Sequence, residues 1–118
     1  MTYRLNLNKL DDHAEEKSSI EIEATFKDST GATFAPTAIA WKLTDPDGST
    51  TFATGTETPA AVVNIMLQGD DLALTSGFEG DAEERRLLVE ATYNSGSYTN
   101  VPLKDSCRFY VKNLSAVT

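Results

Sequence analysis

The stretch that decides the fold is Ile20-Glu21-Ile22-Glu23-Ala24-Thr25-Phe26. Apolar and polar side chains alternate along it without interruption. Because successive side chains of a β-strand point to opposite faces, one face of this stretch is entirely apolar and the other carries two glutamates and a threonine. The stretch therefore predicts a strand with one face on a core and the other in water.

The same alternation recurs on both sides of this stretch, between segments with turn-forming residues. Asp28-Ser29-Thr30-Gly31 ends the first strand, Asp45-Pro46-Asp47-Gly48 predicts a hairpin turn, and Asn94-Ser95-Gly96-Ser97 predicts a second hairpin tip. Together with residues 20–26, the alternating segments give seven predicted strands, the others being 3–7, 39–43, 50–54, 61–68, 87–93 and 107–111.

Residues 69–84 follow neither the strand period nor the helix period, and we expect a crossover there with one helical turn at 70–74. A long crossover before the sixth strand favours a Greek-key sandwich over a small closed barrel. The sequence therefore predicts an all-β fold, an immunoglobulin-like Greek-key β-sandwich of about seven strands. Trp41, on the apolar face of the third strand, is expected to fill its core.

Length and composition are those of one ordinary domain. The chain has 118 residues, of which 40% are hydrophobic and 24% charged, so we expect a single domain over residues 1–118. No apolar run approaches the roughly 20 residues of a membrane-spanning helix. The first residues lack the basic region and apolar stretch of a signal peptide, and we expect the chain to be made and kept in the cytoplasm of its host.

The charge balance bears on the class of partner. Eighteen acidic residues against ten basic ones give a net charge of −8. Such a chain is repelled by phosphate backbones and anionic lipids, so we expect neither nucleic acid nor membrane as a partner.

The residues that could carry chemistry are few. His13, the one histidine, lies in an acidic loop, and Cys107, the one cysteine, lies on an apolar strand face where a buried structural thiol is expected. The sequence contains no nucleophile elbow, phosphate-binding loop, dinucleotide fingerprint or zinc-spaced Cys/His set. We expect no catalytic residue, no cofactor and no enzyme activity.

The acidic turns leave calcium binding open as an alternative to a metal-free fold, since some extracellular sandwich domains bind calcium in their loops. The candidate ligands are Asp45, Asp47, Asp70 and Asp71. Their spacing is not that of an EF-hand, and aspartates that form turns need no metal. We therefore expect the fold to require none.

Two regions could make contacts with a partner. Residues 1–10 form an N-terminal edge strand or arm whose apolar positions are Tyr3, Leu5 and Leu7. An edge strand can accept a partner strand, and the polar run after it could let the arm dock on its own domain or reach a neighbour. Phe78 and Tyr98 are aromatic residues in predicted loops, where they could anchor an interface.

Several motifs resemble the immunoglobulin-like domains of tailed-bacteriophage virion proteins and of bacterial surface proteins. In the first half they are Phe26-Lys27-Asp28-x-x-Gly31 and Pro36-x-x-Ile39-x-Trp41-x-Leu43-x-Asp45-x-Asp47-Gly48. In the second half they are Leu67-x-Gly69-x-Asp71-Leu72, Val89-Glu90-Ala91-Thr92-Tyr93 and Phe109-Tyr110-Val111. With only one cysteine, the chain departs from antibody domains, which bridge their sheets with a disulfide.

The resemblance implies a non-enzymatic structural protein of a tailed-phage particle, in a head decoration, a connector or a tail. Its expected partners are other virion proteins, or copies of itself on a repetitive lattice, and its expected location is the virion, assembled in the host cytoplasm. A free thiol and an acidic chain without an export signal agree with that setting. The alternative is an extracellular carbohydrate- or protein-binding module of a bacterial surface protein.

Overall fold

Two β-sheets make up the fold in the computed structural model, which describes residues 3–9, 13–74 and 80–113. One sheet has the order β1-β3-β6 and the other the order β2-β8-β7-β4-β5. The strands are β1 Arg4–Lys9, β2 His13–Glu15, β3 Ser19–Lys27, β4 Ala38–Thr44, β5 Thr51–Glu57, β6 Val62–Gln68, β7 Ala82–Ser95 and β8 Tyr98–Lys112. A short 3-10 helical turn, Gly69–Leu72, follows β6.

The core lies between the two sheets and is built by the alternating residues. In β3 the predicted apolar face is buried, and Ile22, Ala24 and Phe26 have no exposed surface at all. The five-stranded sheet supplies the facing layer, with Ile39, Leu43, Leu87, Val89, Ala91, Phe109 and Val111. The prediction of an all-β sandwich is confirmed.

The structure adds a strand that the sequence did not predict. Residues His13–Glu15 form β2, which pairs in parallel with the end of β8. Only Ala14 of its three residues is buried, so the strand is too short to show an alternation. The N-terminal part of the chain thus contributes β1 to the three-stranded sheet and then β2 to the five-stranded sheet. His13 lies on a strand and not in the predicted loop.

The last two strands are longer than predicted. β7 and β8 pair from Ala82↔Lys112 to Ser95↔Tyr98, with one irregularity between Tyr93 and Ser95. The alternation of β7 continues to Arg85, whose charged side chain occupies an inward position and is fully buried. A buried arginine breaks the apolar pattern that marks a strand face, which is why the sequence placed the beginning of this strand at Leu87.

Candidate interaction site

The β7–β8 hairpin extends past the strand beside it. β4 pairs with β7 as far as Ala38↔Thr92, whereas β7 and β8 remain paired up to Ser95↔Tyr98. Gly96 forms the turn with a φ of 61°, which glycine adopts without strain. Residues 94–100 therefore form a projecting tip, called here the hairpin tip.

The hairpin tip has a defined conformation. The side-chain oxygen of Asn94 accepts a hydrogen bond of 3.0 Å from the backbone N–H of Asn100, across the irregular part of the ladder. Asn100 has a φ of 53°, a left-handed conformation that asparagine tolerates better than most residues. Tyr98 is 72% exposed on this tip. A large ring thus stands on an ordered support, which is the arrangement of an interface anchor.

An aromatic cluster, Tyr3, Phe34 and Tyr93, braces the base of the hairpin. The rings of Tyr3 and Tyr93 stack with centroids 3.9 Å apart and planes 15° apart. Phe34 meets both rings edge-on, at 5.1 Å from Tyr3 and 5.9 Å from Tyr93. Because Tyr3 directly precedes β1, the cluster ties the N-terminal strand to the base of the hairpin.

The predicted contact residues of the N-terminal arm are taken up by their own domain. β1 pairs with β3 at the edge of the three-stranded sheet. Leu5 is 6% exposed in the core, Leu7 packs against the core, and Tyr3 belongs to the aromatic cluster. In the folded domain Leu5 is therefore not a surface for a partner, and deleting residues 1–10 would remove part of the core. The arm docks on its own sandwich, one of the two arrangements that its sequence left open.

The two aromatic residues predicted to lie in loops are Tyr98 and Phe78. Tyr98, predicted to lie in a loop, is the first residue of β8 and is 72% exposed at the hairpin tip. Phe78 lies outside the described residues. Among the predicted contact residues that the structure describes, Tyr98 is the exposed one.

A second surface lies on the outer face of the five-stranded sheet, across β5, β4 and β7. It is a shallow groove of about 420 Å³. Lys42 and Glu90 lie diagonally across the β4–β7 pair, and the other lining residues are Ala40, Trp41, Thr54, Gly55, Thr56 and Leu88. The sequence did not indicate this groove, because alternating polar residues on an outer face look the same whether the face is flat or concave.

The acidic turns use their carboxylates locally. Asp45 accepts hydrogen bonds from the Ser49 hydroxyl at 2.8 Å and the Thr50 N–H at 3.1 Å, and the bond from Ser49 contributes most to lowering the pKa of its carboxyl. Asp47 accepts from the Ser49 N–H, and Asp71 from the Gln68 N–H. In the described residues, no three His, Cys, Asp or Glu side chains are grouped so as to hold a metal ion.

Cys107 lies beside the core on the inward face of β8, and burial raises the pKa of its thiol to about 11. Since thiolates are the reactive form, we expect its alkylation by iodoacetamide at pH 8 to be roughly a hundredfold slower than in the unfolded chain, with a rate that rises up to about pH 11. Mass spectrometry of the adduct, with the guanidinium-unfolded protein as control, measures this. Equal rates in the two states would contradict it.

Comparisons with known proteins assign no family to this chain. No model of a protein family matches the sequence, and no curated protein matches it. Among solved structures, a conjugative transposon lipoprotein from Bacteroides eggerthii DSM 20697 is similar, at 11% identity and a TM-score of 0.45, over 91% of this chain and 95% of that one. No helix within residues 3–9, 13–74 and 80–113 has the length and apolar character needed to cross a membrane.

Proposed function

We propose that this chain is a non-enzymatic structural protein of a tailed-phage particle that acts through protein–protein contacts, with the hairpin tip as its main contact. The observation that carries the contact is the exposure of Tyr98 on a tip held by the Asn94–Asn100 hydrogen bond. A tyrosine on a fixed backbone loses little conformational entropy when it enters a pocket, because only two side-chain torsions are left to order. The tip therefore supports a docking role.

The strand order supports an immunoglobulin-like topology within the sandwich. If β3 and β6 are equated with strands B and E, then β8, β7, β4 and β5 take the places of G, F, C and C′. The hairpin tip then corresponds to the F–G loop, one of the loops with which variable domains bind their ligands. This correspondence adds a second reason for assigning the contact to the tip.

The virion setting rests on the sequence resemblance. A net charge of −8 and a single free cysteine agree with a component that is assembled in a reducing cytoplasm beside other proteins. On a lattice, many weak contacts held close together give firm attachment through their effective concentration. A contact as small as the hairpin tip would then be sufficient to hold the protein on the particle.

The alternative function is a carbohydrate- or protein-binding module of a bacterial surface protein, and the groove on the outer face of the five-stranded sheet favours it. The small lining side chains of Ala40, Thr54 and Thr56 leave room for an extended ligand. The gene neighbourhood separates the two proposals. Capsid, portal or tail genes beside this one support the first, whereas a reading frame that continues into repeats or a wall anchor contradicts it.

Replacing Tyr98 by alanine is expected to lower the number of copies per particle about tenfold when the variant complements a deletion, because the anchor of the contact is lost. Quantitative mass spectrometry of purified particles measures the copy number. Tyr110→Ala is the matched control, since Tyr110 is 42% exposed on β8, away from the tip. Full occupancy by the Tyr98 variant would show that the tip is not the contact.

A further inference from the structure

The outer edge of β6 is unlike the other edges of the sandwich. In the described part of the chain, β6 pairs with β3 on one side and with no strand on the other. Natural edge strands are commonly protected by charges or proline, and β1, β5 and β8 carry such residues in Arg4, Glu57 and Pro102. Residues 62–68 contain neither a charge nor a proline. Two of the four exposed large apolar residues among the described ones, Val62 and Met66, lie on this strand.

The hydrogen bonds show which backbone groups of β6 face the free edge. The carbonyl of Ala61 accepts from the Phe26 N–H at one end, and the Gly69 N–H donates to the Ser18 carbonyl at the other. Because backbone groups alternate in direction along a strand, the odd-numbered residues between them point to β3 and the even-numbered ones point away. The N–H and C=O groups of Val62, Asn64 and Met66 therefore face the free edge.

At the C-terminal end of β6 the edge is no longer free to pair. The N–H of Gln68, the next even-numbered residue, already donates to the carboxylate of Asp71. The side chains of the three edge-facing residues all lie on the exposed outer face of the sheet. A partner strand that paired with Val62, Asn64 and Met66 would thus satisfy the backbone groups of these three residues without disturbing the core.

We propose that β6 is a self-association edge, which pairs in antiparallel fashion with β6 of a second copy of this chain about a two-fold axis at Asn64. In this register Asn64 exchanges both backbone hydrogen bonds with its own counterpart, and Val62 exchanges both with Met66 of the other copy. A shift of one pair in either direction would bring in Gln68, whose N–H is occupied, or Ala60, which lies outside the strand. The edge is therefore self-complementary in this one register.

The side chains agree with the same register. Val62 of each copy lies directly opposite Met66 of the other, so both exposed apolar residues gain a cross-strand partner. The two Asn64 amides meet at the axis, where each can donate to the other. The result is one continuous six-stranded sheet in the order β1-β3-β6-β6-β3-β1.

The distribution of charge also favours this edge over most other surfaces of the chain as the place where two copies meet. Each chain carries −8, and copies repel each other where acidic surfaces meet. Residues 62–68 are neutral. Asp71 lies just past their end, where its carboxylate accepts from the Gln68 N–H, and Glu21 and Glu23 lie on β3. The two β3 strands would be about 14 Å apart, three strand spacings, which exceeds the screening length of about 8 Å at physiological salt.

Sedimentation of the full chain across concentrations tests the proposal. We expect a monomer–dimer equilibrium that becomes visible at about 0.1 mM, since the contact is small. Asn64→Lys places two ammonium groups opposite each other and is expected to weaken association about tenfold or more. Asn6→Lys is the matched control, because Asn6 is an exposed asparagine on the outer face of the same sheet, at the other edge, and it should leave association unchanged.

A chemical cross-link tests the register itself. In a Cys107→Ser background, Asn64→Cys is expected to give a covalent dimer with a short bifunctional maleimide, because directly opposite residues in such a pair lie about 5.5 Å apart. Asn6→Cys should stay monomeric under the same conditions. A wild-type chain that remains monomeric at about 1 mM, equal association of the two lysine variants, or equal cross-linking of the two cysteine variants would each overturn the proposal.

Discussion

Replacing Arg85 by methionine is expected to lower the free energy of unfolding by about 3–5 kcal/mol. Arg85 has no exposed surface. Its guanidinium forms an ion pair with Glu83, donates to the Ala73 carbonyl at 2.8 Å, and lies 3.8 Å from the centre of the Phe52 ring. Methionine fills a similar volume but removes the cation, so Glu83 loses this charge partner and the Ala73 carbonyl loses its donor.

Arg108→Met is the control for this prediction. Arg108 lies on the outer face of β8 with 57% of its side chain exposed, 3.7 Å from Glu84. Exposed ion pairs contribute little, so the same chemical change should stay within about 0.5 kcal/mol. Urea melts of the three proteins measure both values. A loss below about 1 kcal/mol for Arg85→Met would show that the buried network is not stabilising.

The role of Arg85 in the fold follows from its partners. Ala73 lies just after the 3-10 turn in the crossover between the sheets, whereas Glu83 and Arg85 lie on β7. The guanidinium therefore fastens the crossover to the beginning of the strand that it leads into. Phe52, on β5, adds a contact from the far edge of the same sheet. One side chain thus joins three segments at this end of the sandwich.

The sequence could predict the parts of the fold whose pattern is local. The alternation in residues 20–26 determines which face of β3 is buried, and the glycine at position 96 determines where the last hairpin turns. Neither needs knowledge of the rest of the chain. The same reasoning placed Tyr98 in a loop after this turn, whereas the structure begins β8 at Tyr98.

The remaining features depend on contacts between distant residues. β2 forms because it pairs with the free edge of β8 at Tyr110–Lys112, almost a hundred residues away in the sequence. The residues His13–Glu15 contain no pattern that predicts this strand. Arg85 interrupts the apolar pattern of β7, and two of its partners, Ala73 and Phe52, lie in the crossover and on β5. Tyr3 looked like a contact residue because its stacking partner, Tyr93, is at the other end of the chain. The free edge of β6 likewise follows from the order of the strands and not from its own sequence.

Trp41 and Gly55 are expected to show strong coupling in a double-mutant cycle. Trp41 lies on the inward face of β4, partly buried, and its indole N–H donates to Glu57 at 3.2 Å. Its ring crosses Gly55 on the neighbouring strand so closely that a Cβ there would lie 2.5 Å from a ring carbon. Trp41→Ala should cost about 3 kcal/mol, at the lower end for a large aromatic, because the ring is only partly buried.

Gly55→Ala should cost about 2 kcal/mol in the wild-type chain, because the added methyl group must displace a rigid ring from its packed position. In the Trp41→Ala background the same substitution meets no ring, so its cost should fall below about 0.5 kcal/mol. Thr54→Ala, on the opposite face of the same strand, controls for a change in strand propensity. Urea melts of the four proteins of the cycle give the coupling energy. An equal cost of Gly55→Ala in both backgrounds would mean that the glycine serves the strand itself and not the ring that lies across it.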